Sequence, residues 1–214
     1  MPGKTSKNLN LSKSMAGSYP LDPVIDFLST QLQDSIAEFP DVPPYEKMAA
    51  VLVPLLKKDG EWSLLFTRRA DNLVDHKGEV SFPGGAVEKV DHDFVATALR
   101  ETWEEIGLTP DKISILGSLQ AFHTVSGYFL KPVVGVIDWP VVVRNNPSEV
   151  ARTFCIPIRW LSNQNNWEDR PRKLQNGETV SVIHYHLYEG EILWGITARI
   201  THELLRLINK MPEN

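Results

Sequence analysis

Between Phe94 and Gly107 the chain carries a pattern that only a helix lying flat on a core satisfies. Val95, Ala98, Leu99, Thr102 and Ile106 recur at i, i+3, i+4, i+7 and i+11, one narrow stripe of helical period. Asp91 or Asp93 supplies the N-cap, and Gly107 suits the left-handed residue just past the end. Three acids, Glu101, Glu104 and Glu105, crowd beside that stripe. At about 100° per residue, Glu101 and Glu105 lie about 40° apart, one turn above each other. Like charges so placed repel, so the helix needs a compensating positive charge, which a divalent cation would supply. Arg100 and Glu104 form an i, i+4 pair able to lock each other's rotamers.

Gly85, followed by Arg100-Glu101-x-x-Glu104-Glu105-x-Gly107-Leu108, resembles the Nudix box, whose usual form is G-x5-E-x7-R-E-U-x-E-E-x-G-U with U aliphatic. The spacing from Gly85 to Arg100 is one residue longer than that form, and its first acid becomes Asp91, or Glu88 with another loop alignment. Thr102 stands where an aliphatic residue is usual. The resemblance implies a hydrolase of diphosphate bonds in nucleoside diphosphate derivatives. It also implies a three-layer α/β/α sandwich around a mixed β-sheet.

A second stretch narrows the expectation. Leu65-Phe66-Thr67-Arg68-Arg69-Ala70, then His76-Lys77-Gly78-Glu79-Val80-Ser81-Phe82-Pro83-Gly84-Gly85, is similar to the signature upstream of the box in coenzyme A pyrophosphatases. That signature runs L-L-T-x-R-[S/A]-x3-R-x3-G-x3-F-P-G-G, and Val74 replaces its second arginine here. The longer loop after Gly85, Ser126-Gly127-Tyr128 and Trp194-Gly195-Ile-Thr-Ala-Arg199 also resemble that group. The expected reaction is cleavage of coenzyme A or an acyl-CoA into 3′,5′-ADP and 4′-phosphopantetheine, favoured at alkaline pH. ADP-ribose or a nucleoside di- or triphosphate is the alternative substrate. A non-catalytic nucleotide-binding module would show a broken acidic box, whereas all three glutamates are present.

A diphosphate dictates what the side chains must do. Hydrolysis needs charge neutralisation on the phosphate oxygens, an in-line water and a group that activates it. Magnesium takes few carboxylates and leaves positions for phosphate oxygens, and manganese substitutes for it. Glu101 and Glu105 are the expected direct ligands. Glu104 completes the shell, bridges a second ion or takes the proton from water, and the Gly85 carbonyl is a further ligand because no Cβ blocks its approach. Arg100 orients Glu104. Glu149, in Asn146-Pro147-Ser148-Glu149-Val150, lies where Nudix enzymes often place an additional acid, and is a candidate ligand or general base. Arg68, Arg69 and Lys77 are the expected substrate contacts, one of the two arginines pointing to the substrate side.

The remaining sequence sets the frame. A chain of 214 residues, 42% hydrophobic, can bury one sizeable core. The expected organisation is a disordered tail over 1–20, a helix and linker over 21–47, and the hydrolase domain over 48–210. Asp22-Pro23 opens that first helix, with Val24, Phe27, Leu28, Leu32 and Ile36 on one side, and Phe39-Pro40 to Pro43-Pro44 ends it. Strands are expected at Ala49 to Leu56, Trp62 to Thr67 (across an Asp59-Gly60 turn), Ile113 to Gln120, Tyr128 to Ile137 and Val180 to Tyr188, with a closing helix from Thr197 to Lys210. A net charge of -5 without a basic stripe excludes a nucleic-acid coat, so attraction for a polyanion must be local. No apolar run is long enough for a bilayer span, and the lone Cys155 suits a reducing cytoplasm as a buried, inert thiol. The expected partners are a small nucleotide-type substrate and at most a second copy of the chain in a homodimer, with no nucleic acid and no membrane. His184 and His186 alternate on one strand face but lack a third zinc ligand in register.

Overall fold

The computed structural model describes residues 22–32, 39, 47–73, 76–174 and 177–212. The expected tail, Ile36, the prolines of the linker and Val74 lie outside them. Strand β1 (Lys47–Lys58) is central, and its apolar run makes it so: nearly every residue from Ala49 to Leu56 is buried. It pairs antiparallel with β2 (Glu61–Arg69) through the Asp59-Gly60 turn, both of whose residues have positive φ, 52° and 82°. That is the twist a two-residue hairpin demands.

Two short strands, β3 (Val80–Ser81) and β4 (Gly84–Ala86), follow, and β4 pairs with the first half of β1, setting Gly85 beside Ala50 and Gly84 beside Val51. Helix α2 (Phe94–Ile106) comes next. Strands β5 (Ile113–Ser118) and β6 (Phe122–His123) both pair with β7 (Tyr128–Ile137), which runs parallel to β1 on its other edge. Strand β8 (Val150–Pro157) pairs antiparallel with β2. The sheet is therefore mixed.

One core lies between the sheet and α2, built from Ala50, Leu52, Leu65, Phe94, Ala98, Ile106 and Val133. The other lies on the opposite face under α1 (Pro23–Gln31) and α4 (Gly195–Ile208), built from Leu28, Val53, Leu64, Phe66, Val134, Ile200 and Leu204. These are the three layers expected, since helices on both faces let a near-continuous apolar strand such as β1 be buried on both sides. A short α3 (Ile158–Leu161) leads to a separate two-stranded ribbon, β9 (Trp167–Lys173) with β10 (Thr179–Tyr185).

Several expectations change. The buried side of α2 is rotated toward Phe94, Thr97 and Glu105, leaving Val95 and Leu99 half-buried, because Phe94 packs against the rings of Phe39 and Phe129. Strand β10 stops at Tyr185 rather than Tyr188: Glu189 and Gly190, with φ of 48° and 88°, turn the chain so that Tyr188 N–H donates to Glu191. His186 consequently lies past the strand, while the His184 ring stacks on Trp194 at 5.5 Å. The closing helix begins two residues early, at Gly195. Cys155 is half-buried on β8, where burial raises its thiol pKa. Among the described residues no helix is long and apolar enough to cross a membrane.

Candidate active site

Helix α2 starts where Asp93 Oδ1 accepts the Ala96 N–H at 2.7 Å and stops at Gly107, whose φ of 66° is the left-handed cap. A side-chain cap fixes one end and a left-handed glycine the other, so the glutamates between them are held in register. Asp93, not Asp91, is the cap. Asp91 has a different task.

The Asp91 carboxylate is buried and accepts from four donors, two of them the nitrogens of one guanidinium fork. Arg100 Nε and Nη2 reach its two oxygens at 3.0 Å each, the Glu88 N–H at 2.8 Å and the Thr97 hydroxyl at 3.0 Å. Burial alone would raise this carboxyl; the Arg100, Glu88 and Thr97 hydrogen bonds hold it below its ordinary value. The same Arg100 donates through Nη2 to the Ala86 carbonyl and through Nη1 to Glu101 Oε1 and Glu104 Oε2, all at 3.0 Å. One guanidinium thus ties the 86–91 loop to the acidic face of the helix. Its hydrogen bonds to Asp91 dominate the upward shift of its pKa, so it is a permanent cation.

This arrangement corrects the simple picture of three mutually repelling acids. Glu101 and Glu104 already have a counter-charge in Arg100. Among the described residues no three histidine, cysteine, aspartate or glutamate side chains converge on one point. Glu104 is the outermost, with 42% of its side chain exposed. Glu105 is the exception to all of this. It is only 4% exposed and its Oε2 has no hydrogen-bond partner. Burial, then the charge of Glu101, then that of Glu149, push its carboxyl up to about 8, against the pull of Arg69 and a hydrogen bond from the Gly84 backbone. Glu101 is raised too, chiefly by burial, with Arg100 opposing.

The glycines explain themselves at the same place. A Cβ on Gly85 would collide with the Glu101 carboxylate, and one on Gly84 with the Ala50 carbonyl and Val51. Only a bare backbone lets β4 pass between β1 and the acids. The donors here fit a hard divalent cation: every one is oxygen, one is a buried carboxylate oxygen lacking any donor, and the Gly85 main chain lies against Glu101.

Around this centre the other expected residues separate. Arg69 lies on the α2 face of β2, near enough to Glu105 to lower its pKa, and its buried Nε has no partner. Glu149, in the turn just before β8, accepts the Asn146 side-chain amide at 2.9 Å and acts on both Glu101 and Glu105 through its charge. Arg68 turns to the opposite face, as strand alternation requires, and forms a forked pair with Asp71 at 2.7 and 3.2 Å. Lys77 is exposed beside Asp71. The anchoring role of Asp91 and the support Asn146 gives Glu149 emerge only from the fold. The first was signalled by its place as the box's first acid; the second had no signal.

A family model described as NUDIX domain matches residues 46–189. An uncharacterised Nudix hydrolase, NudL, from Photorhabdus laumondii is 34% identical over 162 residues, covering 75% of this chain and 84% of the relative. The NudL protein of Pectobacterium atrosepticum is 35% identical over 167 residues, covering 78% and 85%. Among solved structures, the Nudix hydrolase RenU of M. smegmatis superposes with a TM-score of 0.53 over 85% of this chain and 99% of that one, at 15% identity, a likeness of fold alone.

Proposed function

The chain belongs to the Nudix hydrolase family, and from that premise we propose that it is a magnesium-dependent pyrophosphatase of nucleotide-type diphosphates, with coenzyme A or an acyl-CoA as substrate. The observation that carries the catalytic reading is Glu105: a buried carboxyl without a partner on one oxygen, hydrogen-bonded by the Gly84 backbone and acted on by the charges of Glu101 and of Arg69, whose Nε is unused. Burying an unpaired charge is costly unless something pairs it.

In this reading Glu105, Glu101 and the Gly85 carbonyl hold magnesium, with Glu104 completing the shell. Bound magnesium supplies positive charge to the diphosphate oxygens and acidifies the attacking water. Arg100 keeps Glu101 and Glu104 in place, anchored by Asp91. Glu149, steadied by Asn146, or Glu104, freer and more exposed, takes the proton from the water. Arg69 donates to a phosphate oxygen through the fork whose Nε is unused in the free protein. Manganese, equally content with oxygen donors, substitutes.

The coenzyme A assignment rests on the upstream stretch from Leu65 to Gly85 and on the longer loop after Gly85. Val74, in place of that signature's second arginine, favours the second reading, an ADP-ribose or nucleoside di- or triphosphate pyrophosphatase. A substrate panel decides between them: coenzyme A, ADP-ribose, NADH, diadenosine polyphosphates and dNTPs, each with magnesium and with manganese. The expected products are 3′,5′-ADP and 4′-phosphopantetheine from coenzyme A. Rapid cleavage of ADP-ribose with coenzyme A untouched would select the second reading.

A further inference from the structure

On the sheet face opposite α2, two arginines stand side by side. Arg68 of β2 and Arg152 of β8 are direct cross-strand partners, and strand alternation sets both on the α4 face. One carboxylate bridges them: Glu191 lies 3.5 Å from Arg68 Nε through one oxygen and 3.5 Å from Arg152 Nη1 through the other. It is the buried acid of the group, 11% exposed, yet it makes neither contact at the 2.7–2.9 Å typical of a charge-assisted hydrogen bond. The close contacts belong to exposed acids. Asp71 forks onto Arg68, and Glu189 accepts Arg152 Nη2 at 2.8 Å while its carbonyl accepts Nη1 at 3.1 Å. Asp71 is 72% exposed and Glu189 56%, the latter at the tip of the Tyr188–Glu191 turn.

We propose that Arg68 and Arg152 form a second anion site, for a phosphate monoester carried by the substrate in addition to its diphosphate, and that the Glu189–Glu191 turn fills it in the free protein. The inference deepens the coenzyme A reading and rests on it. Two guanidinium forks side by side offer parallel donors to a tetrahedral, doubly charged group once the exposed acids that occupy them, Asp71 and Glu189, give way. The charges facing the pair are Asp71, Glu189 and Glu191, with Lys77 beside Asp71, so the acids outnumber the arginines and an incoming phosphate must displace two of them. The ones it displaces are Asp71 and Glu189, because exposed ion pairs contribute little and are easily exchanged. Position suits the role. Arg69, the neighbour of Arg68, faces Glu105 across the strand, and β2 ends there, so a ligand rounding the strand end meets both arginines.

The test is calorimetric binding of two nucleotides in the presence of magnesium, 3′,5′-ADP and 5′-AMP, which differ by one phosphate monoester. Wild-type protein is expected to bind 3′,5′-ADP about tenfold more tightly, the worth of one or two charge-assisted hydrogen bonds. Glu189→Gln, which removes the internal competitor, should widen that ratio, and Arg152→Gln should bring it close to one. Affinity for 5′-AMP, which the pair does not touch, reports that each variant is folded. A ratio near one in the wild type, a ratio indifferent to Arg152→Gln, or a ratio that Glu189→Gln narrows would each overturn the site, the last by marking the turn as a structural strut. Any of these results leaves the diphosphatase reading standing if the substrate panel shows cleavage. A panel with no cleavage overturns that reading, whatever the two nucleotides do.

Discussion

On the proposed reading, Glu105 is the residue on which metal binding, pH and stability meet. With its carboxyl raised from 4.5 to about 8, the folded chain keeps a proton that the unfolded chain has already released throughout that window. The unfolded state therefore binds fewer protons there, and the stability of the metal-free protein falls as pH rises from about 4.5 to about 8. Thermal unfolding in a chelator should show this decline, and Glu105→Gln, which cannot ionise, should flatten it and unfold at a higher temperature near pH 8. A decline of equal slope in the variant would assign the effect elsewhere. Magnesium affinity runs the other way, strengthening up to about pH 8 as the carboxyl gives up its proton to the ion. The same substitution should cost at least about two orders of magnitude in turnover, the scale of losing a principal electrostatic stabiliser.

Helix α2 and the 86–91 loop work as one element because Arg100 joins them. Asp91→Asn removes one carboxylate oxygen from the Arg100 fork in a buried place and should lower stability by about 1–3 kcal/mol. It should also lower kcat more than KM changes, since Glu101 and Glu104 lose a fixed partner while the substrate contacts remain. Unchanged kcat with the expected stability loss would make Asp91 a purely structural residue. Gly85→Ala tests the other side of the element. Its Cβ has nowhere to go but into the Glu101 carboxylate, so magnesium titration should show an affinity loss of about tenfold or more, comparable to disturbing a ligand's support. The helix was legible in the sequence because its cap, its period and its terminal glycine agree. Its exact rotation was not, since it is set by Phe39 and Phe129, which come from distant segments. Strand β9 was not legible either: Trp167–Lys173 is almost wholly charged and exposed, and only pairing with β10 makes it a strand.

At the scale of the molecule, the fold gives the two faces of one sheet different sets of charged side chains. The α2 face gathers Glu101, Glu105, Glu149 and Arg69, brought from three elements to the end of β2. The α4 face carries Arg68 and Arg152 under the Tyr188–Glu191 turn. The box acids were readable because they sit on one short helix. The placing of Arg69 and Arg68 on opposite faces was readable only as an alternation, with neither face identified, because the sheet order decides which one holds α2. The grouping of Arg152 with Glu191 joins residues 39 positions apart through a turn, and no local pattern announces it. Product analysis of coenzyme A incubated with magnesium and either wild-type protein or Glu105→Gln puts the reaction and its key residue to one test. The expected products are 3′,5′-ADP and 4′-phosphopantetheine from the wild type, with at most about a hundredth of that rate from the variant. Equal rates from the two proteins would remove Glu105 from the centre of the site, and coenzyme A left intact by the wild type would overturn the coenzyme A assignment.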